Sequence, residues 1–203
     1  MRRRRNSLAP IASLAHSGSE LLRRQQYERL PLALATIEER ARHLEGFIRG
    51  YARFAKLPQP LLNTVDWVSF LQGLQRQIAF ELETPADDLS SRIDQAQMEQ
   101  ALLNLLKKAH EAGCEGWPVS VRLTRLPDWR RIEVLDRGAG MNESVLQNAL
   151  VPFYSTKRNG TGLGLAIAKD CLSRHQATLE ITSTPGAGSR FAANFPAGRV
   201  TGG

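Results

Sequence analysis

The hydrophobic positions in the first part of the chain predict two amphipathic helices. Apolar or small residues recur at steps of three and four, the spacing of one helix face, in Leu8, Ile11, Ala15, Gly18 and Leu22. The same spacing returns in Ile37, Ala41, Leu44, Ile48, Tyr51 and Ala55. The break falls at residues 26–31, where Pro31 suits the first turn of the second helix. Each apolar face is too long to be buried by the other helix alone. We therefore expect a hairpin that forms a four-helix bundle with a second copy of the chain.

The pattern changes to mixed α and β after Pro58 and Pro60, which end the second helix. Strands are predicted over residues 64–67, 80–83, 119–126, 130–135, 177–182 and 189–195, and helices over 68–79, 93–112 and 163–174. Turns are expected at residues 127–128 and 185–188, and the residues after Pro196 are expected to be a frayed tail. The fold class is therefore α+β, with a helical hairpin at residues 1–60 and a second domain at 61–198.

Composition limits the classes of protein to which the chain can belong. It has 203 residues, 42% of them hydrophobic, which is enough for one or two globular domains. It has no run of about 18 apolar residues that could span a bilayer, and no secretory signal follows the first arginines. We therefore expect a cytoplasmic chain without membrane contact, although a longer parent can be membrane-anchored. The two cysteines, Cys114 and Cys171, form no CxxC pair, which argues against a zinc site or a disulfide framework.

More than half of the net charge of +7 comes from four consecutive arginines at residues 2–5. Such a run can bind nucleic acid or acidic lipid, and it is also typical of a solvated chain end. No basic stripe with interleaved aromatic residues occurs elsewhere in the sequence. We interpret the run as a solvated end and expect no nucleic-acid partner.

The helix predicted over residues 93–112 carries two polar residues on one face. Asn104 and Lys108 are four positions apart, so their side chains project in a similar direction. An amide and an ammonium placed together can hold phosphates or a metal-bound nucleotide. A helix surface with Asn and Lys can also be simply solvated, so this pair alone does not decide between the two readings.

A second motif, Asp136-Arg137-Gly138-Ala139-Gly140, directly follows a predicted strand. A carboxylate at a strand end can accept a hydrogen bond from an amino group such as that of adenine, and the glycines permit close packing of a ligand. The alternative is a β-turn in which Asp and Gly serve local geometry.

A third motif joins a polar loop, residues 152–157, to a glycine-rich segment at residues 160–165. Glycines let the backbone approach phosphate closely, the first amides of the following helix can bind an anion, and Lys157 adds positive charge. The segment is not a Walker loop, because GxxxxGK followed by Ser or Thr is absent, and it does not follow a strand in a βαβ unit. The motif predicts a nucleotide lid. A fourth glycine motif at residues 186–191 alone predicts only a hairpin turn.

The order of these motifs resembles the ATP-binding domain of sensor histidine kinases. NLL, DRGAG, PFYSTK, GTGLGL and GAGSRF follow one another between about residues 64 and 196. The stretch NSLAPIASLA resembles the segment after the phosphoacceptor histidine, and the second helix, ending YARFAKLPQP, is similar to the dimerisation hairpin of nitrogen-regulation kinases. The resemblance implies a Bergerat-type α/β sandwich, as in gyrase, Hsp90 and MutL, with a mixed sheet packed on helices. It also implies ATP binding, phosphoryl transfer to a histidine, a homodimer and a response regulator as partner.

The resemblance also assigns site residues. Asp136 would recognise adenine, Gly138 and Gly140 would line the base pocket, and Asn104 would lie at the phosphate and magnesium end. Asn104, Lys108 and Lys157 would be the catalytic groups. The remaining nucleotide contacts would come from the lid, in Phe153, Thr156, Lys157, Gly160, Thr161, Gly162, Leu163, Gly164 and Leu165.

Two positions depart from the family pattern. The phosphoacceptor histidine would fall at Arg2, which cannot accept a phosphoryl group, and His16 lies on the wrong side of the motif. Lys108 stands where the family has a second asparagine that ligates magnesium, and a charged lysine has no lone pair for a metal. We therefore expect weakened or absent Mg²⁺ binding and doubtful autophosphorylation. The alternative function is an impaired ATP-binding module that dimerises and regulates a partner kinase or response regulator. A gyrase-like or Hsp90-like ATPase would need a glutamate base at residue 104.

Overall fold

The computed structural model describes residues 8–55, 58–85, 89–113, 116–157 and 160–196. The chain divides into two compact units, Met1–Lys56 and Leu57–Gly203. Arg2 and Cys114 lie outside the described residues, as does the tail after Pro196.

The first unit is a pair of helices, α1 (Leu8–Arg23) and α2 (Leu30–Ala55), joined through a short 3₁₀ turn at Tyr27–Arg29. Both predicted helices are confirmed, and Pro31 lies in the first turn of α2 as expected. Helix α2 begins at Leu30, inside the break predicted at residues 26–31. Large apolar side chains remain exposed on this unit, in Leu22, Leu32, Leu34 and Ile48.

The second unit contains seven strands and four helices among its described residues. The strands are β1 (Asn63–Asp66), β2 (Glu81–Glu83), β3 (Ser90–Ile93), β4 (Ser120–Arg125), β5 (Trp129–Asp136), β6 (Thr178–Thr184) and β7 (Gly188–Pro196). The helices are α3 (Trp67–Gln75), α4 (Gln95–Ala112), α5 (Glu143–Asn148) and α6 (Gly164–Arg174).

The main sheet has the strand order β2-β4-β5-β7-β6. Strand β2 pairs with β4 in parallel, and the other neighbours are antiparallel, so the sheet is mixed. Helices α4 and α6 pack against each other and against the sheet. Alternate sheet residues face this core, among them Val121 opposite Val134 and Val134 opposite Phe191. Strands β1 and β3 form a separate antiparallel pair. The predicted α+β class with a mixed sheet packed on helices is confirmed.

Two predicted helix starts differ from the structure for a common reason, the side-chain caps. Asp66 accepts a hydrogen bond from the Ser69 amide, so β1 ends there and α3 starts at Trp67. Asp94 accepts from the Gln97 amide in the same way, so α4 starts at Gln95. Ile93, predicted to open that helix, is the last residue of β3 instead. Helix α3 also ends at Gln75, short of the predicted residue 79.

Candidate functional site

Asp136 is the last residue of β5 and is almost completely buried, with 5% of its surface exposed. Its Oδ1 accepts hydrogen bonds from the amides of Gly138 at 2.9 Å and Ser189 at 3.1 Å. Its Oδ2 is also buried, but it has no hydrogen-bond partner among the described residues. Burial raises the pKa of this carboxyl, while the two amides, the hydroxyl of Ser189 and the charge of Lys108 oppose the shift. The side chain therefore presents a buried acceptor oxygen whose lone pairs are unused.

The glycines after Asp136 let three backbone segments pack directly on one another. A Cβ on Gly138 would lie 1.7 Å from the carbonyl oxygen of Ala112, at the end of α4. Gly140 packs against the Thr184 carbonyl at the end of β6. The motif around Asp136 is thus fixed between α4 and the β6–β7 turn. Local packing accounts for these glycines, and their contact with a base stays a prediction.

A cavity of about 230 Å³ opens beside this motif. One wall is α4, and the other is formed by Met141, α5 and the segment from Tyr154 onwards. The structure brings nine of the predicted site residues into its lining, namely Asn104, Lys108, Thr156, Lys157, Gly160, Thr161, Gly162, Gly164 and Leu165. Five others, Asp136, Gly138, Gly140, Phe153 and Leu163, are not in the lining that the described residues form. Lys108 links the two regions, because it lines the cavity and its charge acts on Asp136.

The α4 wall presents Asn104, Lys107, Lys108 and Glu111. Their spacing of three, four and seven residues places them on neighbouring positions of one helix face. The opposite face of α4 is buried in the core through residues such as Leu105 and Ala109. Asn104 Nδ2 is buried and has no partner in the part of the chain that the structure describes. Sequence reasoning missed Lys107 and Glu111, although their spacing from Asn104 was a usable signal.

Lys157 is held in place by α4. Its Nζ donates to Glu111 Oε2 at 2.6 Å and to the Glu111 carbonyl oxygen at 3.3 Å. Its backbone amide donates to Ser155 Oγ at 3.1 Å. The lysine therefore points into the cavity, with its charge balanced by one carboxylate.

The glycine-rich segment folds back on the residues before it. Gly162 has φ +68°, and a Cβ there would lie 2.6 Å from the carbonyl carbon of Phe153. The Phe153 amide donates to the Gly162 carbonyl at 3.0 Å. Helix α6 then begins at Gly164 without a side-chain hydrogen bond capping its first turn. The first backbone amides of α6, which no described side chain caps, can therefore bind an anion in the cavity.

Arg137 lies outside the cavity and stacks on Trp117, with its guanidinium carbon 4.1 Å from the ring centre. Trp117 is 56% exposed and belongs to the loop that follows α4. The stack joins this loop to the residue directly after Asp136.

Comparison with known proteins identifies the family. Residues 93–199 match the family described as histidine kinase-, DNA gyrase B- and HSP90-like ATPase. The chain belongs to this family. The match extends from the end of β3 beyond β7, so the cavity and Asp136 both lie inside the ATPase domain.

The curated relatives of this chain include a kinase and a sensor protein. The chain is 28% identical over 171 residues to sporulation kinase A of Bacillus subtilis, covering 84% of this chain and 28% of the relative. It is 32% identical over 171 residues to the C4-dicarboxylate transport sensor protein DctB of Rhizobium meliloti, covering 80% and 27%. The chain thus spans less than a third of the length of these relatives.

Solved structures show the same fold. The catalytic domain of histidine kinase ThkA matches with a TM-score of 0.59 at 23% identity, over 66% of this chain and 95% of that one. ThkA in complex with the response regulator TrrA matches with a TM-score of 0.68 at 19% identity, over 95% and 58%. The predicted Bergerat-type fold is therefore confirmed. Together with the family match and the kinase relatives, this also confirms the predicted histidine-kinase catalytic core.

The described residues contain no helix that is long and apolar enough to cross a membrane. They also contain no cluster of three or more His, Cys, Asp or Glu side chains arranged to hold a metal ion.

Proposed function

We propose that this chain binds ATP and serves as the catalytic part of a sensor histidine kinase, which transfers the γ-phosphoryl group to a histidine. The observation that carries the proposal is the buried, unpartnered Oδ2 of Asp136 beside a lysine-lined cavity. A buried acceptor without a partner costs about 1–3 kcal/mol, so its retention is best explained by a ligand that supplies a donor.

Adenine suits this acceptor. Its exocyclic amino group is a donor, and a carboxylate oxygen accepts it with the strength of a charge-assisted hydrogen bond. Oδ1 is already engaged by two backbone amides, which fixes the direction of Oδ2. Gly138 and Gly140 hold the backbone beside this oxygen, and in the proposal they form the edge of the base pocket.

The cavity suits the phosphates. Lys107, Lys108 and Lys157 supply three positive charges, and the first amides of α6 supply further donors. In the proposal, Lys108 and Lys157 neutralise the charge of the transferred group, while Asn104 positions the phosphate chain. The segment from Phe153 to Leu165 acts as the nucleotide lid.

Magnesium fits the same residues poorly. Asn104 can offer one amide oxygen, but Lys108 offers none, and the Glu111 carboxylate is engaged by Lys157. Mg²⁺ prefers oxygen ligands in an octahedral arrangement, and a nearby ammonium repels it. We propose that lysine charge replaces much of the metal's role and that Mg²⁺ dependence is weak. No step in this proposal depends on the metal.

The exposed apolar face of the helical unit supports one partner, a second copy of the chain. Exposed apolar residues such as Leu22 and Ile48 support a homodimer through α1 and α2. The phosphoryl group would reach a histidine presented by a kinase hairpin, and then an aspartate of a response regulator receiver domain. The solved complex of ThkA with TrrA supports a partner of this class. We expect no role for nucleic acid.

A second candidate is a catalytically impaired ATP-binding module that regulates a partner kinase or response regulator. Lys108 favours it, because the ammonium faces the cavity at the position where the resemblance expects a metal ligand.

Two experiments separate these possibilities. Isothermal titration with ATP tests binding, and both candidates require uptake of ATP that Asp136→Asn reduces. γ-Labelled ATP, supplied to the chain alone and with a histidine-bearing hairpin from a relative, then tests transfer. Label on the hairpin supports the kinase, whereas tight binding without transfer supports the regulatory module. A folded protein that takes up no adenine nucleotide would contradict both.

A further inference from the structure

Lys157, assigned above to the phosphates, already has an anionic partner in the cavity. Its ammonium donates to Glu111 Oε2 at 2.6 Å and to the carbonyl oxygen of the same residue at 3.3 Å. These two bonds use two of the three donors that a lysine has. A phosphate group can bind Lys157 fully only if it displaces Glu111.

Glu111 is well placed for this competition. It lies in the last turn of α4, seven residues after Asn104 on the same face of the helix, and it lines the cavity. The C-terminal end of a helix carries partial negative charge, which adds to its attraction for an ammonium. The bond from the Lys157 amide to Ser155 Oγ keeps the lysine on this side of the cavity.

The charged side chains in the cavity lining are mostly positive. Three lysines line it, and Glu111 is the acidic side chain that the described lining contains. Lys107 and Lys108 have no ion pair with any residue that the structure describes, whereas Lys157 has one. Glu111 therefore cancels one of the three charges available to a phosphate chain, and it repels the phosphates that enter.

We propose that Glu111 competes with nucleotide phosphates for Lys157 and so weakens the binding of ligands that bring phosphates into the cavity. The inference rests on the proposed ATP site. A nucleoside without phosphates does not meet this competition, and a triphosphate meets all of it. The side chains of Lys157 and Glu111 are 43% and 54% exposed, so the pair has the strength of a surface ion pair. Removing the charge of Glu111 is expected to tighten ATP binding by about two- to fivefold.

The test is calorimetric titration of the 203-residue chain with adenosine, ADP, ATP and inorganic tripolyphosphate, without added metal. The variants are Glu111→Gln, Lys157→Met and the double variant. Glu99→Gln is the matched control, because it removes the same charge from the same helix outside the cavity, where Glu99 accepts from Gln77 at 2.7 Å. Tighter binding of ATP and tripolyphosphate by Glu111→Gln, with adenosine unchanged, supports the inference. The gain should shrink when Lys157 is methionine.

Weaker or unchanged tripolyphosphate binding in Glu111→Gln would overturn the inference, as would an equal gain from Glu99→Gln or in the Lys157→Met background. Failure of the proposed function gives a different result. In that case the wild-type chain takes up neither adenosine nor ATP, while tripolyphosphate still reports whether Glu111 opposes phosphate binding.

Discussion

Asp136→Asn separates recognition of adenine from the stability of the fold. The carboxamide has nearly the same shape, and its oxygen can keep the hydrogen bonds from Gly138 and Ser189 at the Oδ1 position. Its NH₂ group then replaces the unpartnered Oδ2. A donor would face the amino group of adenine, where the wild-type protein offers an acceptor.

The expected loss is one hydrogen bond to a charged group, about 1.5–3 kcal/mol. This corresponds to ATP binding weaker by roughly 10- to 100-fold. Isothermal titration measures the affinity directly. Asp128→Asn is the control, because Asp128 is exposed in the β4–β5 turn and its replacement changes the net charge equally.

Asp136→Asn should weaken ATP binding but should not lower the stability of the fold. Burial raises the pKa of Asp136 in the folded protein, so its contribution to stability is present below the unfolded pKa and is lost as pH rises through the raised value. At neutral pH the wild-type chain carries this penalty and the asparagine variant does not. The variant should unfold at an equal or higher urea concentration at pH 7, and the difference should vanish below about pH 4. A folded variant that binds ATP within twofold of the wild type would refute the assigned role of Asp136.

Four further predictions follow from other parts of the structure. Lys108→Asn places an amide oxygen in the cavity wall, so ATP binding should become more dependent on Mg²⁺. Titrations with and without the metal measure this dependence. Equal dependence in the variant and the wild type would contradict the proposal that lysine charge replaces the metal. Asp94→Ala removes the cap of α4 and a bond to the Leu61 amide, and urea denaturation at pH 7 should show a loss of about 1–2 kcal/mol. Burial tends to raise the pKa of Asp94, but its backbone hydrogen bonds outweigh burial and lower the pKa. The loss of stability in Asp94→Ala should therefore shrink as pH falls through this lowered pKa. A loss that stays constant with pH would contradict the role of the ionised carboxylate. Gly162→Ala places a Cβ in a left-handed backbone position against Phe153 and should destabilise the protein by at least about 1 kcal/mol in the same assay; an unchanged midpoint would show that the segment can rearrange freely. Leu22→Glu places a charge on the exposed apolar face of the helical unit, so it should sediment as a monomer where the wild-type chain sediments as the proposed homodimer; a dimeric variant would contradict that interface.

Local patterns predicted every α-helix of the described residues except α5, and most of the main sheet. The apolar spacing of α4 and the Gly113 that ends it were readable, as was the β4–β5 turn at residues 127–128. Strand β3 was missed because its Ser-Ser-Arg-Ile sequence has little apolar alternation. It exists through pairing with β1, whose residues lie some distance away along the chain. Helix α5 was not predicted, because it is only one to two turns long, although the Asn142 cap was a usable sign of it.

The site was partly predictable for a similar reason. The order of the glycine motifs indicated a nucleotide pocket, and the cavity lining contains Asn104, Lys108 and Lys157 as expected. The contact between Lys157 and Glu111 joins residues 46 positions apart, so no local spacing could show it. The close packing of Gly138 on Ala112 likewise depends on the tertiary arrangement.

The stack of Arg137 on Trp117 gives the protein an internal optical reporter. Of the three tryptophans, Trp117 and Trp129 are partly exposed and Trp67 is fully buried in the core, so the emission of Trp67 is expected at a shorter wavelength than that of the other two. Arg137 directly follows Asp136, so a backbone movement at Asp136 is expected to move the cation that lies over the Trp117 ring. If adenine binds at Asp136 as proposed, the fluorescence of Trp117 is expected to change on titration with ATP, with no dye attached to the chain.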